Sequence, residues 1–159
     1  MYSCIRQGVA TQTTTQLNRE KDNMASVIID MIYKLVSRPA AIIHGGEIYF
    51  TDLPEGTTEI LAFLRGYTGG GHIDLIRTKA EIDMWVNDEF LTTYASQPNS
   101  VARTFSLALG GRTTEIYGPV ILAGNTPDGD TVPLTDNQLG HVVRLATMIH
   151  IPISTMRTQ

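Results

Sequence analysis

The run Ala40-Ala41-Ile42-Ile43-His44-Gly45-Gly46-Glu47-Ile48-Tyr49-Phe50-Thr51 decides the fold. Two strand-like stretches rich in β-branched and aromatic residues flank a pair of glycines, and two glycines in that position permit the positive φ angles of a tight hairpin turn. Antiparallel sheet is therefore expected from the start. Asp52-Leu53-Pro54-Glu55-Gly56 then makes a turn, and Thr57 or Thr58 can cap a helix whose Ile60, Leu61 and Leu64 face the core. Gly66 is the expected terminator of that helix.

A second strand pair follows. Gly69-Gly70-Gly71-His72-Ile73-Asp74-Leu75-Ile76 opens on a glycine triplet, and Ile82-Asp83-Met84-Trp85-Val86 breaks into the polar Asn87-Asp88-Glu89. Gln97-Pro98-Asn99-Ser100 offers a turn and a cap to a helix with Val101, Phe105, Ala108 and Leu109 on one face, stopped by Gly110-Gly111. The stretch Glu115 to Gly124 reads as a strand bent at Gly118-Pro119, because proline cannot donate to a ladder. After a turn-rich loop at Asn125 to Asp130, Thr135 with Gln138 fits a capping box, and Leu139, Val142, Val143, Ala146 and Ile149 give the last helix its apolar face. Pro152 closes it.

On the N-terminal side, Ile28, Met31, Ile32 and Leu35 recur at helical spacing within Val27 to Val36, with Asp30 and Lys34 placed to pair one turn apart. An amphipathic helix ending before Pro39 is expected, with a strand as the alternative because β-branched residues are dense. The run is too short and too charged for a membrane span, which needs about 20 apolar residues. Residues 1–23 carry Thr13-Thr14-Thr15 and Arg19-Glu20-Lys21-Asp22, lack the apolar core of a signal peptide, and read as a flexible leader or a mis-called start before Met24. Residues 24–159 then form a single α+β domain, a mainly antiparallel, hairpin-built sheet with about three to four helices on one face.

Composition bounds the function. With 159 residues, 42% hydrophobic and 18% charged, the chain can bury one core. A net charge of −4 with scattered Arg and Lys provides no footprint for nucleic acid. Cys4 is the sole cysteine, so neither an internal disulfide nor a cysteine-based zinc site can be built, and a reducing cytoplasm is the natural setting.

The span from Gly69 to Asn99 concentrates the candidate site: Gly70, Gly71, His72, Asp74, Trp85, Asn87, Asp88, Glu89 and Asn99. The glycine triplet leads into a strand rather than a helix and lacks a following Lys-Ser/Thr, so it is weak as a phosphate loop. His72 and Asp74 alternate onto one strand face, where two ligands make a poor metal site. Trp85 is expected to point away from Met84 and Val86, either as a recognition surface or under a helix. No nucleophile elbow, His-Glu-x-x-His or EF-hand loop occurs, and no cofactor is implied.

In order along the chain, Ala41-Ile42-Ile43 with Glu47-Ile48, Asp52-Leu53-Pro54, Gly70-Gly71-His72-Ile73-Asp74, Met84 to Glu89, Pro98-Asn99 with Ala102, and Gly118 to Gly124 resemble a small family from phages and prophages, the domain of unknown function three-eight-four-six. The resemblance spans about residues 40–145. It implies an accessory protein working in a host cytoplasm and carries no activity with it. Three classes of function follow. The first is a non-catalytic binding module acting on a host protein or small molecule, for instance as a host-defence antagonist. The second is a metal-dependent hydrolase or transferase built on His72, Asp74, Asp83 and Asp88, and the third a structural homo-oligomer using exposed strand edges.

Overall fold

A computed structural model describes the backbone of residues 3–156 and the side chains of residues 14–156. In chain order the elements are α1 (Ser3–Leu35), β1 (Pro39–His44), β2 (Glu47–Asp52), α2 (Thr57–Thr68), β3 (Ile73–Ile76), β4 (Ile82–Asn87), α3 (Phe90–Thr93), α4 (Ser100–Leu109), β5 (Val120–Asn125), β6 (Thr131–Val132), α5 (Asp136–Met148) and β7 (Ile153–Thr155). One seven-stranded sheet runs β3-β4-β5-β1-β2-β7, with β6 paired to β5. Every pairing is antiparallel except β2 with β7. The chain is therefore an α+β protein with a mostly antiparallel sheet.

The glycine pair does what the sequence requires of it. His44 opposes Glu47, so Gly45 and Gly46 alone form the loop, at φ 61 and 79. Both central residues of a type I′ turn need positive φ, and that turn's twist matches the flanking strands. β1 then pairs with β5 on its other side and lies at the centre of the sheet, with Pro39 through Ile43 all buried.

Alternation along the strands divides the core between two faces. Ala41, Ile43, Ile48, Phe50, Met84, Val86 and Leu122 point to one side, where α1, α4 and α5 cover them. Ile42 and Ile121 point to the other, where Leu64 of α2 meets them, with Trp85, Tyr49, Phe63 and Tyr67 around. The expectation of helices on one face is thus corrected. β1 and β5 are apolar at successive positions, so both of their faces need a cover, and α2 supplies the second.

Several local expectations shift for physical reasons. α2 continues through Gly66 and is capped at Gly69, which takes a left-handed φ of 98 and donates its N–H to the Arg65 carbonyl. Its N-cap is Gly56 without a side-chain cap, and Leu61 is exposed. In α4 the buried residues are Val101, Ala102, Phe105, Ser106 and Leu109, while Ala108 faces outward. The strand expected from Glu115 begins only at Val120, because Gly118 turns the chain at φ 73. The capping box of α5 forms as read, Thr135 Oγ1 accepting from the Gln138 N–H and Gln138 Oε1 accepting from the Thr135 N–H.

α1 begins at Ser3 and so runs through the segment read as a leader. From Thr14 to Met24 every side chain is exposed, and burial starts at Ala25 and recurs at Ile32 and Val36, which join the core shared with α5. The Cys4 side chain lies outside the described residues. Asp30 and Lys34 do not pair, the ion pairs among the described residues being Arg38–Glu55, Arg103–Glu115 and Arg112–Asp74. What fixes the helix end is Asp52, whose Oδ1 accepts from the N–H groups of Ser37 and Arg38, each at 2.8 Å. Among the described residues no helix is long and apolar enough to cross a membrane.

Two predictions follow from the packing. Thr51 is fully buried and its hydroxyl has no partner, so Thr51→Val, which keeps the shape and removes the unpaired group, is expected to stabilise the fold by about 1–2 kcal/mol in urea unfolding. Tyr33 of α1 donates its phenol proton to Asp136 at the start of α5, and burial, that hydrogen bond and the Asp136 charge push its pKa up from 10.0 to about 12. The folded state thereby favours the protonated phenol, so the stabilisation is complete below the ordinary tyrosine pKa and is lost as the pH climbs towards 12. The stability difference between wild type and Tyr33→Phe should accordingly vanish over that window in pH-dependent thermal unfolding.

Candidate functional site

The residues singled out in the sequence gather at one end of the sheet, where β3 and β5 begin and β1 and β4 end. Two of them, Asn87 and Asn99, are committed to backbone. Asn87 is buried, donating from Nδ2 to the carbonyls of Thr68 at 3.0 Å and Gly70 at 3.1 Å while its Oδ1 accepts the Glu89 N–H at 2.8 Å. One carboxamide therefore clasps the end of α2 to the end of β4. The glycine triplet supplies the chain reversal between α2 and β3, with Gly69, Gly70 and Gly71 all at positive φ.

Asn99 performs the same service on the other side of this end. Its Oδ1 caps α4 by accepting the Ala102 N–H at 2.9 Å, and its Nδ2 donates to the carbonyls of Ile43 at 3.0 Å and Gly118 at 2.8 Å. Tyr94, which the sequence reading passed over, joins the two clasps. Its hydroxyl donates to the Thr68 carbonyl at 3.2 Å, and a Cβ on Gly118 would stand 2.5 Å from its ring. Glycine at 118 is thus required twice, by its φ and by this ring. The adjacent Gly-Pro pair was the signal that the chain turns here.

Trp85 lies on the sheet beneath α2, partly buried in the smaller core cluster, with its indole N–H buried and unpaired. It is packing for α2. Asp74 and Asp83 fall on opposite faces: Asp74 opposes Val86 on the α1 side, where Arg112 pairs with it at 3.3 Å, and Asp83 opposes Ala123 on the α2 side, where the Asn125 amide donates to it at 2.9 Å. A sheet separates the two, so His72, Asp74, Asp83 and Asp88 cannot converge on one ion. Among the described residues no three His, Cys, Asp or Glu side chains stand close enough to hold a metal. His72, Asp88 and Glu89 remain exposed at the corner, joined through the Asp88 N–H donating to the His72 carbonyl.

Between the Gly45-Gly46 turn and the start of α4 lies a polar pocket of about 310 Å³ walled by His44, Ser96, Gln97, Asn99, Ser100 and Gly118. Of the sequence candidates only Asn99 reaches it, and its polar atoms are spent on backbone.

A larger, apolar groove of about 420 Å³ lies at the other side of the molecule, where α1 passes the end of α5 and the edge strand β7. Met24, Ile28, Met31 and Leu35 line its α1 wall, and Ile151 and Ile153 its opposite wall. Met24, Met31 and Leu35 are 55, 58 and 43% exposed. Large apolar side chains exposed singly are ordinary, whereas a continuous set along one helix marks an interaction surface. The sequence sets Met31 and Leu35 on the apolar face of an amphipathic helix together with Ile28 and Ile32. Helical periodicity shows that a stripe is apolar, and α1 carries more apolar surface than α5 can cover.

A family model described as Domain of unknown function (DUF3846) matches residues 39–149, from the first residue of β1 to just past the end of α5. No curated protein and no solved structure gives a significant match.

Asn99→Ala removes the α4 cap and both amide hydrogen bonds to the Ile43 and Gly118 carbonyls, and is expected to cost about 2–4 kcal/mol of stability. His72→Ala and Glu89→Ala, which touch little, should stay within about 0.5 kcal/mol in the same denaturant titration.

Proposed function

The chain belongs to that family of unknown function, and from this starting point we propose that it is a non-catalytic binding protein whose working surface is the apolar groove between α1, α5 and β7. The observation that carries the reading is the exposed set Met24, Met31 and Leu35, with the half-buried Ile28 between them, beside the free edge of β7. The helix is 33 residues and about 50 Å long, and among its described side chains, from Thr14 onward, burial begins only at Ala25. Helices in water draw their stability from burying an apolar face, so an exposed apolar set on such a helix fits a docking surface for a partner.

Both α1 and β7 lie outside the family match, which supports placing the partner-specific function in these additions and the scaffold in the shared core. At the sheet end, by contrast, Asn87 and Asn99 use their polar atoms to hold backbone, and Trp85 lies under α2. Those residues support the fold of a binding scaffold better than they support catalysis. The setting we propose with this, an accessory protein of phage type in a host cytoplasm, follows from the family resemblance.

A photo-crosslinking amino acid placed at Met31 is expected to give adducts of defined mass in expressing cells, and one at Leu91 of α3, 64% exposed and outside the groove, to give none. Absence of adducts at Met31, or identical labelling at the two positions, would refute the reading. Met31→Glu should abolish the association while changing folding stability by less than about 0.5 kcal/mol.

A further inference from the structure

We propose that the occupant of this groove is α1 of a second copy of the chain, the two helices lying antiparallel about a twofold axis beside Val27. The proposal rests on the reading of this face as a partner-binding surface. Leu17, Met24 and Met31 recur every seven residues, and Lys21, Ile28 and Leu35 follow each by four. That alternation of three and four is the spacing of a coiled-coil seam. Leu17 is 50% exposed, like Met24 and Met31 beyond it, whereas Ala25, Ile32 and Val36 are turned inward and buried. The helix thus carries a buried stripe and, beside it, the exposed Leu17, Met24, Met31 and Leu35, with Ile28 half-buried where the two meet.

The charges on α1 select the partner. Between Thr14 and Leu35, Arg19, Lys21 and Lys34 balance Glu20, Asp22 and Asp30, which leaves no positive excess for an anionic membrane or nucleic acid. The ion pairs formed among the described residues all lie elsewhere. An antiparallel register that stacks Ile28 on the partner's Met24 and Leu35 on the partner's Leu17 also sets Glu20 against the partner's Lys34, twice by symmetry. Val27, 58% exposed, then meets its own copy at the axis. Lys21, the one polar seam residue, lays its aliphatic stem over the partner's Met31 with its ammonium in water.

Sedimentation equilibrium of the purified full chain tests this, with a dimer expected at micromolar concentration. Glu20→Lys or Lys34→Glu alone should weaken the dimer by about threefold to tenfold, and the two on one chain should restore it, because the swapped charges meet again. In a Cys4→Ser background, chains with Leu17→Cys should form a disulfide with chains carrying Leu35→Cys and not with themselves. A strict monomer, a dimer that Met24→Glu leaves intact, or self-coupling of Leu17→Cys overturns the proposal. If the purified chain is monomeric while Met31 still crosslinks to another protein, the groove remains a binding surface and only the second copy is excluded; loss of the Met31 adducts removes both.

Discussion

The carboxamide of Asn99 is the constraint on which this architecture turns. Its three hydrogen bonds tie the end of β1, the start of β5 and the first turn of α4 to one point. β1 and β5 are neighbours at the centre of the sheet but lie some eighty residues apart in the chain, with a hairpin and two longer helices between them. The bonds of a sheet ladder do not by themselves say where the intervening chain should return. A buried amide with every polar atom committed does, since any displacement of α4 breaks all three of these hydrogen bonds at once. Asn87 repeats the device for α2 and β4, and the ring and hydroxyl of Tyr94 join the two points.

What the sequence discloses is mostly what is local. The Gly45-Gly46 turn, the Thr135–Gln138 box and the Asn99 cap are each decided within a few residues, by backbone sterics or by one side chain reaching its own helix. The end of α2 was harder to place because Gly66 and Gly69 compete for the same role. Asn87, arriving nineteen residues after Thr68, settles it by holding the carbonyls of Thr68 and Gly70. β7 was not legible at all. Its three residues lie parallel to β2, and a parallel partner far away in sequence leaves no mark on so short a segment.

The candidate site was legible as a place more than as a chemistry. Glycines, amides and acids concentrated between Gly69 and Asn99 do come together at one end of the sheet, yet the amides of Asn87 and Asn99 are turned on the backbone. Such residues look alike in sequence whether they hold a ligand or hold a chain reversal, because the hydrogen bonds involved are the same. The apolar groove escaped the sequence for the opposite reason. Its residues recur at ordinary amphipathic spacing, and only the packing of α5, with Leu139, Val142, Val143 and Ala146 buried, shows that Met24, Met31 and Leu35 stay exposed.

The position of α1 at the front of the chain has a consequence for synthesis. Its inward stripe packs with α5, which begins at Asp136, about one hundred residues after α1 ends. At roughly 5–20 residues per second, the helix leaves the ribosome some 5–20 seconds before the element that covers it exists. Through that interval the inward stripe of α1 has the β1–β2 hairpin for company but lacks the α5 residues that complete its core.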